Sequence, residues 1–73
     1  MDLALLLGKR IRLLRKAAGF SQEGLALACG LDRSYLGRIE RGEVNITVMT
    51  LYQIAEVIGC DGKDLLPEND HRP

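Results

Sequence analysis

Residues 22–41 read QEGLALACGLDRSYLGRIER, and this stretch decides the fold. Its apolar residues fall at Leu25, Ala26, Cys29, Leu31, Leu36 and Ile39, the spacing of two short amphipathic helices. Ala26 is small where two helices have to cross closely. Gly30 stands where the chain has to turn sharply, a position that commonly requires positive φ. A bihelical unit of this kind turns its second helix outward, where it is able to enter the major groove of double-stranded DNA. The pattern is that of a helix-turn-helix, with helices over about 22–29 and 33–41.

Outward from this unit, one local arrangement recurs four times. An apolar residue precedes a capping residue, and a second apolar residue follows four places after the cap: Phe20–Ser21…Leu25, Leu31–Asp32…Leu36, Ile46–Thr47…Leu51 and Cys60–Asp61…Leu65. The Ser, Asp or Thr oxygen accepts a bond from an unpaired N–H of the first turn, and the apolar pair staples the approach of the chain. These starts, with Asp2 as a further cap, predict five helices: about 3–18, 22–29, 33–41, 48–58 and a short 62–66 stopped by Pro67. Along the first helix Leu3, Leu7, Ile11, Leu14 and Ala18 form the expected core stripe, with Leu6 and Leu13 beside it. The fold class is all-α, a compact five-helix bundle in a single domain over residues 1–67. Residues 68–73 are expected to be a disordered tail.

Composition narrows the function classes. A chain of 73 residues with 47% apolar content has room for one modest core, burying roughly 60% of the unfolded surface. Two prolines and one Phe argue against a β-rich design. No apolar run approaches the ~20 residues of a membrane span. The opening MDLALLLGKR lacks the length and cleavage site of a signal peptide, so a cytoplasmic location is expected. Cys29 and Cys60 are too few and too far apart for a zinc site and read as small core hydrophobes. His71, the single histidine, sits in the polar tail. No nucleophile–base pair, metal cluster or phosphate loop appears, so no enzyme, cofactor, metal or small-molecule ligand is expected. The net charge is zero, yet residues 1–42 carry eight basic and four acidic groups, and residues 43–73 two basic and six acidic. Such a polarised molecule offers DNA one face and turns the acidic face away.

The second helix of the unit carries Arg33, Ser34, Gly37, Arg38 and Arg41 opposite Leu36 and Ile39. Arginine donates two bonds to guanine O6 and N7, and serine bonds base edges or phosphate. Residues near the start of a recognition helix reach deepest into the groove. Arg33 and Ser34, with Arg38 one turn on, are therefore the candidate base readers. Gln22 opens the preceding helix, where free N–H groups favour a phosphate. Arg41 and Asn45 are the matching phosphate candidates at the other end. The basic run KRIRLLRK at 9–16 is a weaker signal, since such runs are often a solvated helix face.

These residues carry a resemblance. The segment from Leu7 to Gly59 resembles the Cro/phage-repressor, or Xre-type, helix-turn-helix family. The match rests on the joint spacing of RxxxG-FSQ (15–22), LA (25–26), Gly30, SYLGRIERG (34–42) and LxxIA (51–55). The resemblance implies a lambda-repressor-like five-helix fold, operator binding as a dimer, and contacts to DNA through Gln22, Arg33, Ser34, Arg38 and Arg41. It also implies an internal ion pair between Arg15 and Glu40. Gly24 and Gly37 depart from the family, standing where longer side chains are common. Asp32, at the head of the recognition helix, is expected to cap it only.

The function these features imply is a sequence-specific transcription regulator acting as a homodimer on a two-fold symmetric operator, similar in compactness to controller proteins of restriction–modification systems. The alternative is an antitoxin-like module whose main task is to hold a protein partner. A dimer surface is expected on the acidic half, from Val44, Ile46, Val48, Tyr52 and the segment Cys60–Leu66 that includes Leu65.

Overall fold

Each helix of the protein begins where a side-chain oxygen just before or within its first turn accepts a bond from a backbone N–H. In the computed structural model, which describes residues 2–68, these are α1 (Leu3–Ala17), α2 (Gln22–Cys29), α3 (Arg33–Glu40), α4 (Val48–Ile58) and α5 (Gly62–Leu65). Asp2 Oδ1 accepts from the Leu5 N–H at 3.0 Å, Ser21 Oγ from Gly24 at 2.9 Å, Asp32 Oδ1 from Ser34 at 3.3 Å and Thr47 Oγ1 from Thr50 at 3.1 Å. At α5 the Asp61 N–H donates to Asp64 Oδ2 at 3.0 Å. Substituting such a cap by Ala costs about 0.5–2 kcal/mol.

Helices α1, α3 and α5 each end one residue before the sequence predicts. Ala18, Arg41 and Leu66 are C-caps: their N–H groups still bond back to the helix, but the chain has begun to leave it. Of the expected tail, Glu68 is exposed and the rest lies outside the described residues.

Every helix supplies the core. Ile11 comes from α1, Leu25 and Ala26 from α2, Leu36 and Ile39 from α3, Leu51, Ile54 and Ala55 from α4, and Leu65 from α5. Full burial of each large side chain contributes about 1.5–3 kcal/mol. α1 lies against α3 and α5, α2 against α3 and α4, and α4 against α5, so α2 and α3 are braced from both sides.

The face that α1 buries differs from the expected leucine stripe. Gly8, Ile11 and Arg15 are its buried residues, Leu7 and Leu14 only flank them, and Leu3 and Ala18 are exposed. The reason is a backbone approach. A Cβ on Gly8 would collide with the carbonyl oxygens of Ile39 and Glu40 at the end of α3. With no side chain at residue 8, α1 rolls onto this glycine instead of onto its leucines.

Candidate nucleic-acid interface

α3 has an apolar side that seats it in the core and a polar side that faces out. Leu36 and Ile39 are buried, while Arg33, Ser34 and Arg38 are exposed. Gly30 ends α2 in the left-handed conformation at φ 70°. The Asp32 cap then starts α3 two residues later, presenting its outward side at the surface. Gly37 lies in a notch of that surface. A Cβ there would come 3.0 Å from Arg41 Nη1 and 3.4 Å from Gln22 Oε1, so these two side chains occupy the space a longer residue would take.

Beneath the notch is a buried polar cluster. Arg15 Nε donates to Glu40 Oε2 at 2.6 Å and its Nη2 to Glu40 Oε1 at 3.1 Å, while its Nη1 reaches the Phe20 carbonyl at 2.9 Å. Gln22 Nε2 donates to the same Glu40 Oε1 at 3.0 Å. The carboxylate sets the amide's orientation, because only the nitrogen end is attracted to it. Gln22 therefore turns its carbonyl oxygen toward Gly37, and one of its two amide N–H groups is already taken. A phosphate at this position would be met by the remaining amide N–H or by the backbone. The pair joins α1 to the end of α3, and Gln22 ties in the start of α2. The position of the outward face is thus fixed by charges that face cannot see.

The outward guanidiniums are themselves paired. Arg33 Nη1 lies 3.2 Å from Glu23 Oε2, Arg41 Nε donates to Glu43 Oε2 at 2.7 Å, and Arg38 Nε is 3.9 Å from Glu43 Oε1. The hydrogen bond between Arg41 and Glu43 raises the arginine above its usual pKa and lowers the glutamate below its own. Two shallow depressions adjoin on this face. One is bounded by Arg33, Ser34, Gly37 and Arg38, the other by Arg12 and Ser21, and Gln22 and Arg41 border both. Arg12 brings a basic group from α1 to the same surface. In the sequence it was one member of the run at 9–16 with nothing to single it out. Asn45 is exposed in the loop after α3 and lines neither depression.

The helix-turn-helix family HTH_3 matches residues 11–65. The chain belongs to that family. Control protein C.BamHI of Bacillus amyloliquefaciens is 38% identical over 66 residues, 89% of this chain and 82% of that one. The fold matches the restriction-modification controller protein C.AhdI from Aeromonas hydrophila with a TM-score of 0.84 at 40% identity, over 86% of this chain and 96% of that one. It also matches SinR, the master regulator for biofilm formation solved in complex with DNA, with a TM-score of 0.77 at 33% identity, over 81% and 95% of the two chains. This HTH_3 chain is a DNA-binding transcription regulator of the Xre type, and no described helix is long and apolar enough to cross a membrane.

The residues expected at a dimer surface divide. Val48 and Tyr52 stand out from α4, 68% and 58% exposed, with Met49 between them at 76%. Val44 and Ile46 are half-buried against the core. Leu65 corrects the expectation. It is fully buried in the monomer and has no surface to offer a second copy. It is the last core residue of α5, and the short helix turns Leu65 inward while leaving Leu66 exposed. Met49, absent from the expected set, is the most exposed apolar side chain on α4. Cys29 and Cys60 are half-buried thiols, and burial pushes both above the usual thiol pKa, with Asp64 and Asp61 adding to the shift at Cys60.

Proposed function

We propose that this HTH_3 regulator binds a two-fold symmetric operator as a homodimer, reading base edges with Arg33, Ser34 and Arg38. Gln22, Arg41 and Asn45 hold the phosphates on either side, joined by Arg12. The observation that carries this reading is the continuity of one face. Exposed α3 side chains able to bond bases lie beside Gln22 and the guanidiniums of Arg12 and Arg41. Phosphate contacts fix the register, and base contacts carry the sequence information. One half-site offers a domain of this size too little contact for selective binding in a genome. Two copies related by a dyad place their recognition helices ~34 Å apart, one turn of DNA. The dimer surface is the exposed apolar face of Val48, Met49 and Tyr52, together with the half-buried Val44 and Ile46. The protein works in the cytoplasm and catalyses no reaction.

Selection of bound sequences from a random duplex pool tests this. The expected result is an inverted repeat whose half-site centres lie about 10–10.5 base pairs, or a multiple, apart, with a dimer in sedimentation at micromolar protein. Recovery of no common sequence, or a strict monomer that binds a single half-site tightly, would refute it.

A further inference from the structure

A carboxylate stands at the end of α3, where electrostatics alone disfavours one. The last turn of a helix exposes unpaired carbonyls and the negative end of the dipole, which favour cations. DNA phosphates approaching the same face add further negative charge. Glu43 is nevertheless held there by the backbone. Its N–H bonds the Arg38 carbonyl at 2.9 Å while the Gly42 N–H bonds that of Ile39 at 3.0 Å, the two bonds of a Schellman stop. Gly42 makes the turn at φ 75°, and a Cβ on it would fall 2.6 Å from Leu5 Cα, so the loop is pressed against α1 as well. This folds residue 43 back beside the helix it follows. Its two oxygens meet Arg41 Nε at 2.7 Å and Arg38 Nε at 3.9 Å.

We propose that Glu43 is a built-in counter-ion that occupies Arg38 and Arg41 in the free protein, must be displaced when DNA arrives, and so sets the affinity and salt dependence of binding. The proposal rests on the DNA-binding reading above and adds a residue that opposes it. A free arginine that meets a phosphate releases a condensed cation from the DNA, and each such contact steepens the salt dependence. An arginine that first has to leave a carboxylate contributes less, because breaking its ion pair offsets part of the attraction to the phosphate. Glu43 thereby lowers the number of effective phosphate contacts without removing an arginine. Both guanidiniums remain positioned on the face.

Anisotropy titrations of the full chain with a labelled random-sequence duplex, from about 50 to 200 mM salt, test this. Glu43→Gln should bind about three- to tenfold tighter at the low-salt end, with a log–log salt slope steeper by about one. Glu68→Gln makes the same charge change beyond α5 and should leave both quantities unaltered. In a chain carrying Arg38→Ala and Arg41→Ala, adding Glu43→Gln should have no effect. Wild-type behaviour of Glu43→Gln overturns the proposal. So does an equal effect from Glu68→Gln, or an effect that persists without the two arginines, since either would reduce Glu43 to general charge. If none of these proteins binds duplex DNA at any salt, the DNA-binding reading falls and takes the proposal with it. As a second readout in the free protein, the Arg41 Nε–H should exchange slowly with solvent in the wild type and quickly in Glu43→Gln. Equal exchange would show that the pair is not formed.

Discussion

Glu40→Gln isolates the charge of the buried pair with almost no change of shape. The carboxylate side chain is 4% exposed and that of Arg15 8%, so neither group has water to fall back on. In the wild type Glu40 accepts two bonds from Arg15 and one from Gln22. The amide keeps one acceptor oxygen but not the negative charge, leaving a buried guanidinium with the Phe20 carbonyl as its other partner. Breaking a buried pair by removing one member costs about 3–5 kcal/mol, and the retained oxygen argues for the lower end, about 3 kcal/mol. A domain of this length has a total stability of roughly 4–11 kcal/mol, so the loss is a large share of it. In urea unfolding followed by far-ultraviolet circular dichroism, with a slope near 1 kcal/mol/M, the midpoint should fall by about 3 M. The melting temperature should fall by roughly 12–24 °C. The double change Arg15→Met with Glu40→Leu removes both charges and should cost well under the sum of the two single changes. A Glu40→Gln midpoint within about 0.5 M of wild type, or a double change as costly as the sum, would refute the reasoning.

Three further outcomes are expected. Arg33→Ala should relax base preference at one position of each half-site at a cost of about 1–3 kcal/mol, whereas Arg41→Ala should weaken operator and random duplex alike. Competition titrations with both DNAs separate the two patterns, and equal losses for Arg33→Ala would deny it a base. Val48→Asp places a charge on the exposed face at the start of α4 and should shift sedimentation toward monomer and weaken operator binding together, while the monomer keeps the wild-type far-ultraviolet circular dichroism spectrum. Gly8→Ala introduces a methyl group where the carbonyls of Ile39 and Glu40 already stand, so it should destabilise the domain by about 1–3 kcal/mol despite the better helix propensity of alanine. A stabilised Gly8→Ala protein would mean that α1 does not approach α3 at that residue.

The helix starts were legible because the physics that makes them is local. Ser21, Asp32, Thr47 and Asp61 bond within one turn of themselves, and their apolar neighbours are set by spacing along the chain, so no knowledge of the fold was needed. The polar side of α3 was legible for the same reason, since a helix's period separates Arg33, Ser34 and Arg38 from Leu36 and Ile39. Arg12 was not, because a lone arginine in a basic run gains meaning only when α1 carries it to Gln22 and Arg41. Glu43 was missed for a similar reason. Its nearness to Arg38 depends on the sharp reversal at Gly42, and acidic residues after a helix ordinarily read as loop.

The sequence by itself determined the number of helices, their starts, and the side chains that the outward face of α3 can show. Tertiary structure alone decided which side of α1 is buried, that Leu65 belongs to the monomer core, and that Gln22 is anchored by Glu40 with its oxygen outward. The division follows the range of the forces. Caps, staples and amphipathic periods act over three or four residues, whereas Gly8 against the Ile39 carbonyl and Arg15 against Glu40 join parts of the chain whose meeting depends on how all five helices pack.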